Sequence, residues 1–247
     1  MIAFEELSVK KGSQTILHDV TFSLRAGTVT ALIGKNGSGK STLLSCVNRL
    51  CPYEGTIRLE ARDLAAFAPL ERAKKIALLP QILPNTELTV SSLTALGRLP
   101  YTGSMGRLSD TDRQRIAEAL AMTDMSALAS RPCNTLSGGE RQRAFLAMLL
   151  AQDAELLLLD EPTAFLDTDA ANGLYHILSD LVQSHGKTVL AVMHDLSAAI
   201  HLADDIAILD GGTLEFFGTA EECLAVHAIE RTFSVTAHHA DQRVFFA

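Results

Sequence analysis

The sequence predicts an α/β fold with a parallel β-sheet at its centre and a helical block inserted between the strands. Predominantly apolar runs of strand length occur at residues 29–33, 156–159 and 188–193, as expected for strands that are buried on both faces. A glycine-rich loop follows the first run and leads into helical spacing. Between residues 88 and 150 the strand patterns fade and helical patterns dominate.

The glycine-rich loop has the form G-x-x-x-x-G-K-[ST] of a phosphate-binding loop. Free backbone N–H groups and the positive end of the next helix would face an anion there, and glycines let the backbone wrap it. Lys40 would reach the β- and γ-phosphates of a nucleotide, and Ser41 would hold Mg²⁺. A chance match in a glycine-rich turn is the alternative. The predicted nucleotide-binding residues are Gly34, Lys35, Asn36, Gly37, Ser38, Gly39, Lys40, Ser41 and Thr42.

The elements before the helical block follow from short-range patterns. Between residues 16 and 25, Val20, Phe22 and Leu24 alternate with polar residues, as in a half-buried strand. Pro69 interrupts the helical pattern of residues 64–75. The predicted elements are strands at residues 2–9, 16–25, 56–59 and 76–80 and a helix at residues 64–75.

Inside the helical block, Ser109 with Asp112 and Ser137 with Glu140 have the spacing of capping boxes that begin helices. Beyond the block, Thr219 is placed to cap one more helix. The elements predicted after the block are strands at residues 156–159 and 188–193, helices at 168–184 and 195–203, a hairpin at 206–217 and a terminal strand at 243–246.

Composition limits the class of protein. The 247 residues suggest one or two domains, and a net charge of −8 without a basic cluster argues against nucleic acid as the main partner. Apolar runs are too short for a membrane span, and the N-terminus lacks the pattern of a signal peptide, so we expect a cytosolic location. The four cysteines show no metal-ligand spacing and are predicted to be reduced thiols in or near the core.

Polar side chains follow the predicted strands at the ends where a parallel sheet binds ligands. Asp160 fits a partner of Mg²⁺, and Glu161 is placed to polarise a water that attacks a γ-phosphate. Gln81 would orient this water or complete the Mg²⁺ shell, and His194 would donate to the γ-phosphate. The alternative is that these residues are solvated strand ends and, for His194, a structural hydrogen bond.

The stretch that begins at Ser137 contains two glycines inside a capping box. Each glycine costs ~1 kcal/mol against alanine within a helix, so stability does not explain them. They make sense if the start of the helix must come close to an anion. Ser137, Gly138 and Gly139 are therefore further candidates for nucleotide binding.

Together these motifs resemble the ATP-binding subunits of ABC transporters over nearly the whole chain. Residues 34–41 match the Walker A motif, Gln81 the Q-loop, 136–143 the signature motif, 156–161 Walker B with the catalytic glutamate, 164–167 the D-loop and His194 the switch histidine. The resemblance implies a RecA-like P-loop core with an antiparallel β-subdomain and an inserted helical subdomain. It also implies a head-to-tail homodimer that holds two ATP, each between the Walker A loop of one subunit and Ser137 of the other.

On this basis we expect a single nucleotide-binding domain. Residues 1–87 and 151–217 would form the core, 88–150 the helical subdomain and 218–247 a C-terminal tail. The D-loop carries Ala164 where the family usually has serine. Family members also carry an aromatic residue near the end of the first strand, where this chain has Lys11, whose stem is the predicted contact for the base.

Residues 94–101 resemble the corresponding segment of importers for iron-siderophores, haem and cobalamin, with haem the first choice of cargo. The resemblance implies that residues 82–108 contact an integral membrane permease at the cytoplasmic face of the inner membrane. A periplasmic or extracellular substrate-binding protein would be an indirect partner.

Other classes compete with this interpretation. A soluble ABC ATPase of iron–sulfur cluster assembly has a similar size and is the main alternative. DNA-repair members need a long coiled coil, for which the interval from Lys40 to Asp160 has no room, and translation factors carry two ATPase units. A phosphate-loop kinase has no use for the signature motif, and an idle binding module would not need Glu161.

Overall fold

The computed structural model describes residues 2–103, 106–164, 166–240 and 243–247. The chain forms two compact units. The first unit is Met1–Phe67 with Val182–Ala247, and the second is Ala68–Leu181. The division into a core, a helical subdomain and a tail stays a prediction.

The strands and helices lie close to the predicted positions. The strands are β1 (Ile2–Lys11), β2 (Gln14–Ser23), β3 (Val29–Gly34), β4 (Glu54–Leu59), β5 (Arg62–Asp63), β6 (Ile76–Leu79), β7 (Leu156–Asp160), β8 (Thr188–Val192), β9 (Asp205–Asp210), β10 (Thr213–Thr219), β11 (Ala237–Ala240) and β12 (Arg243–Phe246). The helices are α1 (Lys40–Val47), α2 (Pro69–Lys75), α3 (Val90–Leu96), α4 (Asp110–Met122), α5 (Gly138–Ala151), α6 (Thr168–Gln183), α7 (Leu196–Leu202), α8 (Ala220–Ala225) and α9 (Ala228–Phe233).

An antiparallel sheet with the order β2-β1-β4-β5 forms one part of the first unit. Phe4 in β1 pairs with Phe22 in β2 and with Ile57 in β4. The rings of Phe4 and Phe22 stack with their centroids 4.6 Å apart, and both side chains are buried. This sheet is the antiparallel β-subdomain that the resemblance implied, and its alternating pattern reflects one buried face.

The other sheet strands of the first unit follow the order β10-β9-β3-β8. β3 runs parallel to both β8 and β9, and β10 is antiparallel to β9. All six residues of β3 are buried, which is why its sequence is a continuous apolar run rather than an alternating one.

The second unit combines helices with the parallel strands β6 and β7. Helices α3, α4 and α5 pack on one another. Both predicted capping boxes form: Ser109 accepts from the N–H of Asp112 at the start of α4, and Ser137 accepts from the N–H of Glu140 at the start of α5. The helix predicted at residues 64–75 is divided, because Pro69 begins α2 and a short 3₁₀ turn precedes it.

The C-terminal segment contains more structure than the sequence predicted. The capped helix α8 forms as expected, but α9 follows it, and the expected strand β12 pairs with β11. Helix α9 has only six residues, and its N-cap is His227, whose side chain provides no capping hydrogen bond. A helix this short and without a cap signal leaves no periodic pattern to detect.

The thiols give a first testable prediction. Cys46, Cys133 and Cys223 are buried and Cys51 is half-buried, and all four are free thiols, as predicted. Burial raises the pKa of Cys46 and of Cys223 to about 12, so both stay protonated and unreactive at pH 8. Iodoacetamide at pH 8 should therefore label Cys51 first, as measured by mass spectrometry of tryptic peptides over time.

The unfolded protein provides the control for this labelling experiment. In guanidinium chloride all four thiols should label at similar rates, because unfolding removes the burial that protects them. Labelling of Cys223 in the native protein at the rate of Cys51 would contradict the prediction.

Within the described ranges, no helix combines the length and the apolar character that crossing a membrane would require.

Candidate active site

The phosphate loop of the first unit connects β3 to α1. Gly37 and Gly39 have φ angles of 80° and 100°, a left-handed conformation that residues with a Cβ rarely adopt. Gly39 is the N-cap of α1, and no side chain of the described residues caps this helix. The N–H groups of its first turn are therefore presented to a ligand rather than to a capping side chain.

Close packing explains two glycines of this loop. A Cβ at Gly34 would lie 2.1 Å from the carbonyl oxygen of Leu209, and a Cβ at Gly39 would lie 2.4 Å from Cδ2 of Leu17. The loop backbone therefore lies directly against β9 and β2, and there is no room for a side chain at either position.

Two polar side chains of the loop suit a phosphate. Nζ of Lys40 donates to the carbonyl oxygens of Gly34 at 2.8 Å and Lys35 at 3.0 Å, and Lys40 is 6 % exposed. Oγ of Ser38 is buried and has no hydrogen-bond partner among the described residues. A buried hydroxyl without a partner is costly, and a phosphate oxygen would supply that partner. The residues present therefore fit a nucleotide phosphate.

His194 lies at the same edge of the sheet as the phosphate loop. Leu32 in β3 pairs with Val192 in β8, so the two strands end side by side. His194 follows β8 and is exposed, and the carboxylate of Asp195 caps α7 by accepting from the N–H of Ala198. Because Asp195 is the N-cap of α7, the start of this helix fixes the backbone next to His194.

The second unit brings Gln81 and Glu161 together, although 80 residues separate them. Leu79 in β6 pairs with Leu159 in β7, so both strands end at one edge. There Nε2 of Gln81 donates to Oε2 of Glu161 at 2.5 Å. The acidic pair begins at Asp160, the last residue of β7. Carboxylate, amide and hydroxyl oxygens are the ligands that Mg²⁺ prefers, so Asp160, Gln81 and Ser41 have suitable donor chemistry.

The signature stretch opens α5. The N–H of Ser137 donates to Oε2 of Glu140 at 2.8 Å, which lowers the pKa of Glu140. Ser137 and Gly138 are exposed. Among the described residues, a Cβ at Gly139 would meet only Leu166, at an ordinary contact distance of 3.6 Å. Packing within the described chain thus does not require this glycine, whereas the approach of an external group would.

Sequence reasoning placed two further residues in the signature motif but missed the contacts that they make. Arg141 donates to the carbonyl oxygen of Leu83, and Nε2 of Gln142 donates to that of Pro162 at 2.9 Å. Gln142 stands one turn before Phe145 on the buried face of α5, and a polar residue in an apolar stripe is a usable signal. Of the predicted D-loop, Phe165 lies outside the described residues.

The model of the ABC transporter family matches residues 17–164, more than half of the chain. The chain belongs to the ABC transporter family. The iron(3+)-hydroxamate import ATP-binding protein of Bacillus subtilis is 38 % identical over 96 % of this chain and 88 % of the relative. The hemin import ATP-binding protein of Pseudomonas aeruginosa is also 38 % identical, over 95 % of this chain and 93 % of the relative.

Solved ABC cassettes have the same fold. A metal-chelate type ABC transporter in an inward-facing conformation matches with a TM-score of 0.84 and 25 % identity, over 99 % of this chain and 95 % of that one. A bacterial ABC cassette solved as a dimer matches with a TM-score of 0.78 and 28 % identity, over 89 % and 99 % of the two chains. The RecA-like P-loop fold is therefore confirmed, and this ABC cassette binds and hydrolyses ATP to power transport.

Proposed function

We propose that this ABC cassette energises the import of an iron-chelate-type cargo such as haem, a siderophore or cobalamin. The observation that carries the proposal is the similarity, across nearly the whole chain, to import ATP-binding proteins named for ferric hydroxamate and for hemin. Relatives for both cargoes are equally similar, which supports the class of cargo, and haem is the first to test. The alternative in iron–sulfur cluster assembly is not favoured.

The phosphate loop would bind the β- and γ-phosphates of ATP. Its backbone N–H groups and the start of α1 face the anion, Ser38 gains the hydrogen-bond partner that it lacks, and Nζ of Lys40 turns from carbonyl oxygens towards phosphate oxygens. Lys11, exposed at the end of β1, would pack its stem on the base. The other residues of the loop between 34 and 42 would hold these phosphate-binding groups in position.

The catalytic chemistry would depend on three side chains and on a bound Mg²⁺. Glu161 accepts a proton from the attacking water, and Gln81 holds its carboxylate in place. His194 donates to the γ-phosphate as charge develops there. Mg²⁺, when bound, would neutralise charge on the phosphates, and the hydroxyl of Ser41, the carboxylate of Asp160 and the amide oxygen of Gln81 would hold it.

A second copy of the chain would complete each site. Ser137, Gly138 and Gly139 are placed at the start of α5 with little packing against their own chain, as an anion site for a partner would need. In a head-to-tail homodimer this helix start would bind the γ-phosphate held by the other subunit. A similar cassette solved as a dimer supports this arrangement.

A set of exposed apolar side chains in the second unit suits an integral membrane permease. Leu99 is 56 % exposed, Ile82 is 79 % exposed, and Leu96 and Tyr101 are also exposed. Ile82 further lines a cleft of ≈ 340 Å³ beside the start of α5. A permease helix docked there would remove these apolar groups from water, so the cassette would sit on the cytoplasmic face of the inner membrane. A substrate-binding protein would act on the permease from the other side.

Affinity purification tests the proposal. A tagged chain drawn from detergent-solubilised membranes should bring along a multi-span permease, identified by mass spectrometry. A soluble scaffold without a permease would overturn the importer assignment and leave the ATPase assignment intact.

The exposed apolar set gives a further prediction. Leu99→Asp should reduce the recovery of the permease several-fold, because a carboxylate would be desolvated at the interface, while ATP hydrolysis by the isolated cassette stays unchanged. Leu50→Asp is the matched control, since Leu50 is 72 % exposed in the first unit. Equal recovery with both variants would contradict the proposed docking surface.

A further inference from the structure

Gln142 connects the signature helix to the segment that carries the catalytic glutamate. It lies in the second turn of α5 and is 5 % exposed. Its Nε2 donates to the carbonyl oxygen of Pro162 at 2.9 Å, and this hydrogen bond is buried. Pro162 directly follows Glu161 and is itself buried. The side-chain amide of Gln142 thus binds the carbonyl group of the residue that directly follows Glu161.

The backbone at Glu161 needs such support. Glu161 has a φ angle of 50°, in the left-handed region that a residue with a Cβ rarely adopts. The N–H of Ala164 donates to the carbonyl oxygen of Glu161 at 3.2 Å, which closes a turn. A backbone in a sparsely populated region persists only where its surroundings hold it. The hydrogen bond from Gln142 holds this turn from the side of α5.

We propose that Gln142 is a positioning residue that holds the backbone of Glu161 in its catalytic conformation. The inference rests on the assignment of Glu161 as the base under the proposed function. Without the donor, the buried carbonyl group of Pro162 has a reason to turn towards solvent. That rotation changes the ψ angle of Pro162 and the φ angle of Thr163, which distorts the turn closed by Ala164 and moves the carboxylate of Glu161 away from the attacking water. Shifts of about 1 Å at a reacting group can cost about 10²-fold in rate.

The test compares two glutamines of the same helix region. Gln142→Met keeps the length of the side chain and removes the donor. Gln152→Met is the matched control, because Nε2 of Gln152 donates to the carbonyl oxygens of Ala73 at 2.6 Å and Ile76 at 2.9 Å, at the other end of α5. We expect kcat for ATP hydrolysis to fall at least about tenfold in Gln142→Met, with KM within about twofold, and kcat to change little in Gln152→Met. Equal kcat values in the two variants would overturn the proposal.

A double variant separates positioning from a general structural role. The double variant is compared with Glu161→Gln alone, and the residual hydrolysis of each is measured with radiolabelled ATP. If Gln142 acts through Glu161, adding Gln142→Met should cause little further loss. A loss that multiplies with that of Glu161→Gln would show that Gln142 acts independently and would refute the inference. Binding of a fluorescent ATP analogue reports whether the variants fold, and Gln142→Leu, which also removes the donor without adding a charge, replaces any variant that does not.

The single variant Glu161→Gln keeps this test distinct from that of the proposed function. Normal turnover in Glu161→Gln would mean that the base is wrongly assigned. Loss of turnover in Glu161→Gln together with normal turnover in Gln142→Met would leave the base assignment intact and reject only the positioning role.

Discussion

Glu161→Gln is expected to lower kcat for ATP hydrolysis by about 10²–10⁴-fold, the range that a general base contributes. A glutamine cannot accept the proton of the attacking water, yet it keeps the size of the side chain. Its amide can still form a hydrogen bond with Gln81, which lies 2.5 Å from Oε2 in the native protein. The affinity for ATP should therefore stay within about twofold, since the loss falls on the transition state.

Steady-state kinetics and size-exclusion chromatography measure this prediction. Because hydrolysis would no longer separate the subunits, the variant should accumulate as a closed dimer in the presence of ATP and Mg²⁺. Glu155→Gln is the control at the other end of the same strand, where Glu155 forms an exposed ion pair with Lys75 at 3.3 Å, and it should hydrolyse ATP normally. A Glu161→Gln variant that turns over at the native rate would remove Glu161 from the mechanism.

Arg98→Met is expected to destabilise the native state by about 3–5 kcal/mol, the cost of removing one partner of a buried ion pair. Nε of Arg98 donates to Oδ1 of Asp112 at 2.8 Å, and both side chains are about 95 % buried, with exposed fractions of 5 % and 6 %. Nη1 also donates to the carbonyl oxygen of Ala151 at 2.7 Å, and the guanidinium group stacks on Tyr101 at 3.9 Å. The variant leaves the carboxylate of Asp112 buried without its counter-ion.

Urea unfolding at two pH values measures this effect. Hydrogen bonds from Ser109, with that from Arg98, lower the pKa of Asp112 to about 2. Because the folded pKa lies below the unfolded one, this stabilisation is present above pH 4 and is lost as the pH falls towards 2. The native protein and the variant should therefore differ most near neutral pH and approach each other in acid.

Arg113→Met supplies the matched control for this measurement. Arg113 lies on the same helix, α4, and its ion pair with Asp110 at 3.5 Å is exposed to solvent. Exposed pairs contribute little to stability, so this variant should unfold at nearly the native urea concentration. An equal loss of stability in the two variants would show that burial of the Arg98 pair is not the cause.

Local chemistry was readable from the sequence. The order of phosphate loop, capping boxes and buried strands depends on residues a few positions apart, and so does the placement of Asp160 and Glu161 at the end of β7. The capping boxes at Ser109 and Ser137 form as their spacing predicts, because a side chain that caps an N–H three residues away needs only local geometry.

Other features depended on tertiary structure, for a physical reason that the particular residues make clear. The hydrogen bond between Gln81 and Glu161 joins residues 80 positions apart. The hydrogen bond of Gln142 joins α5 to Pro162, and that of Arg98 reaches Asp112 in α4. Only the packing of parallel strands and helices brings such groups within hydrogen-bonding distance, and no local pattern encodes the pairing. Helix α9 and the pairing of β11 with β12 likewise form short elements whose stability comes from the unit on which they pack. The sequence by itself thus determined which residues are candidates for the chemistry, and the tertiary structure decided which neighbours hold them in position.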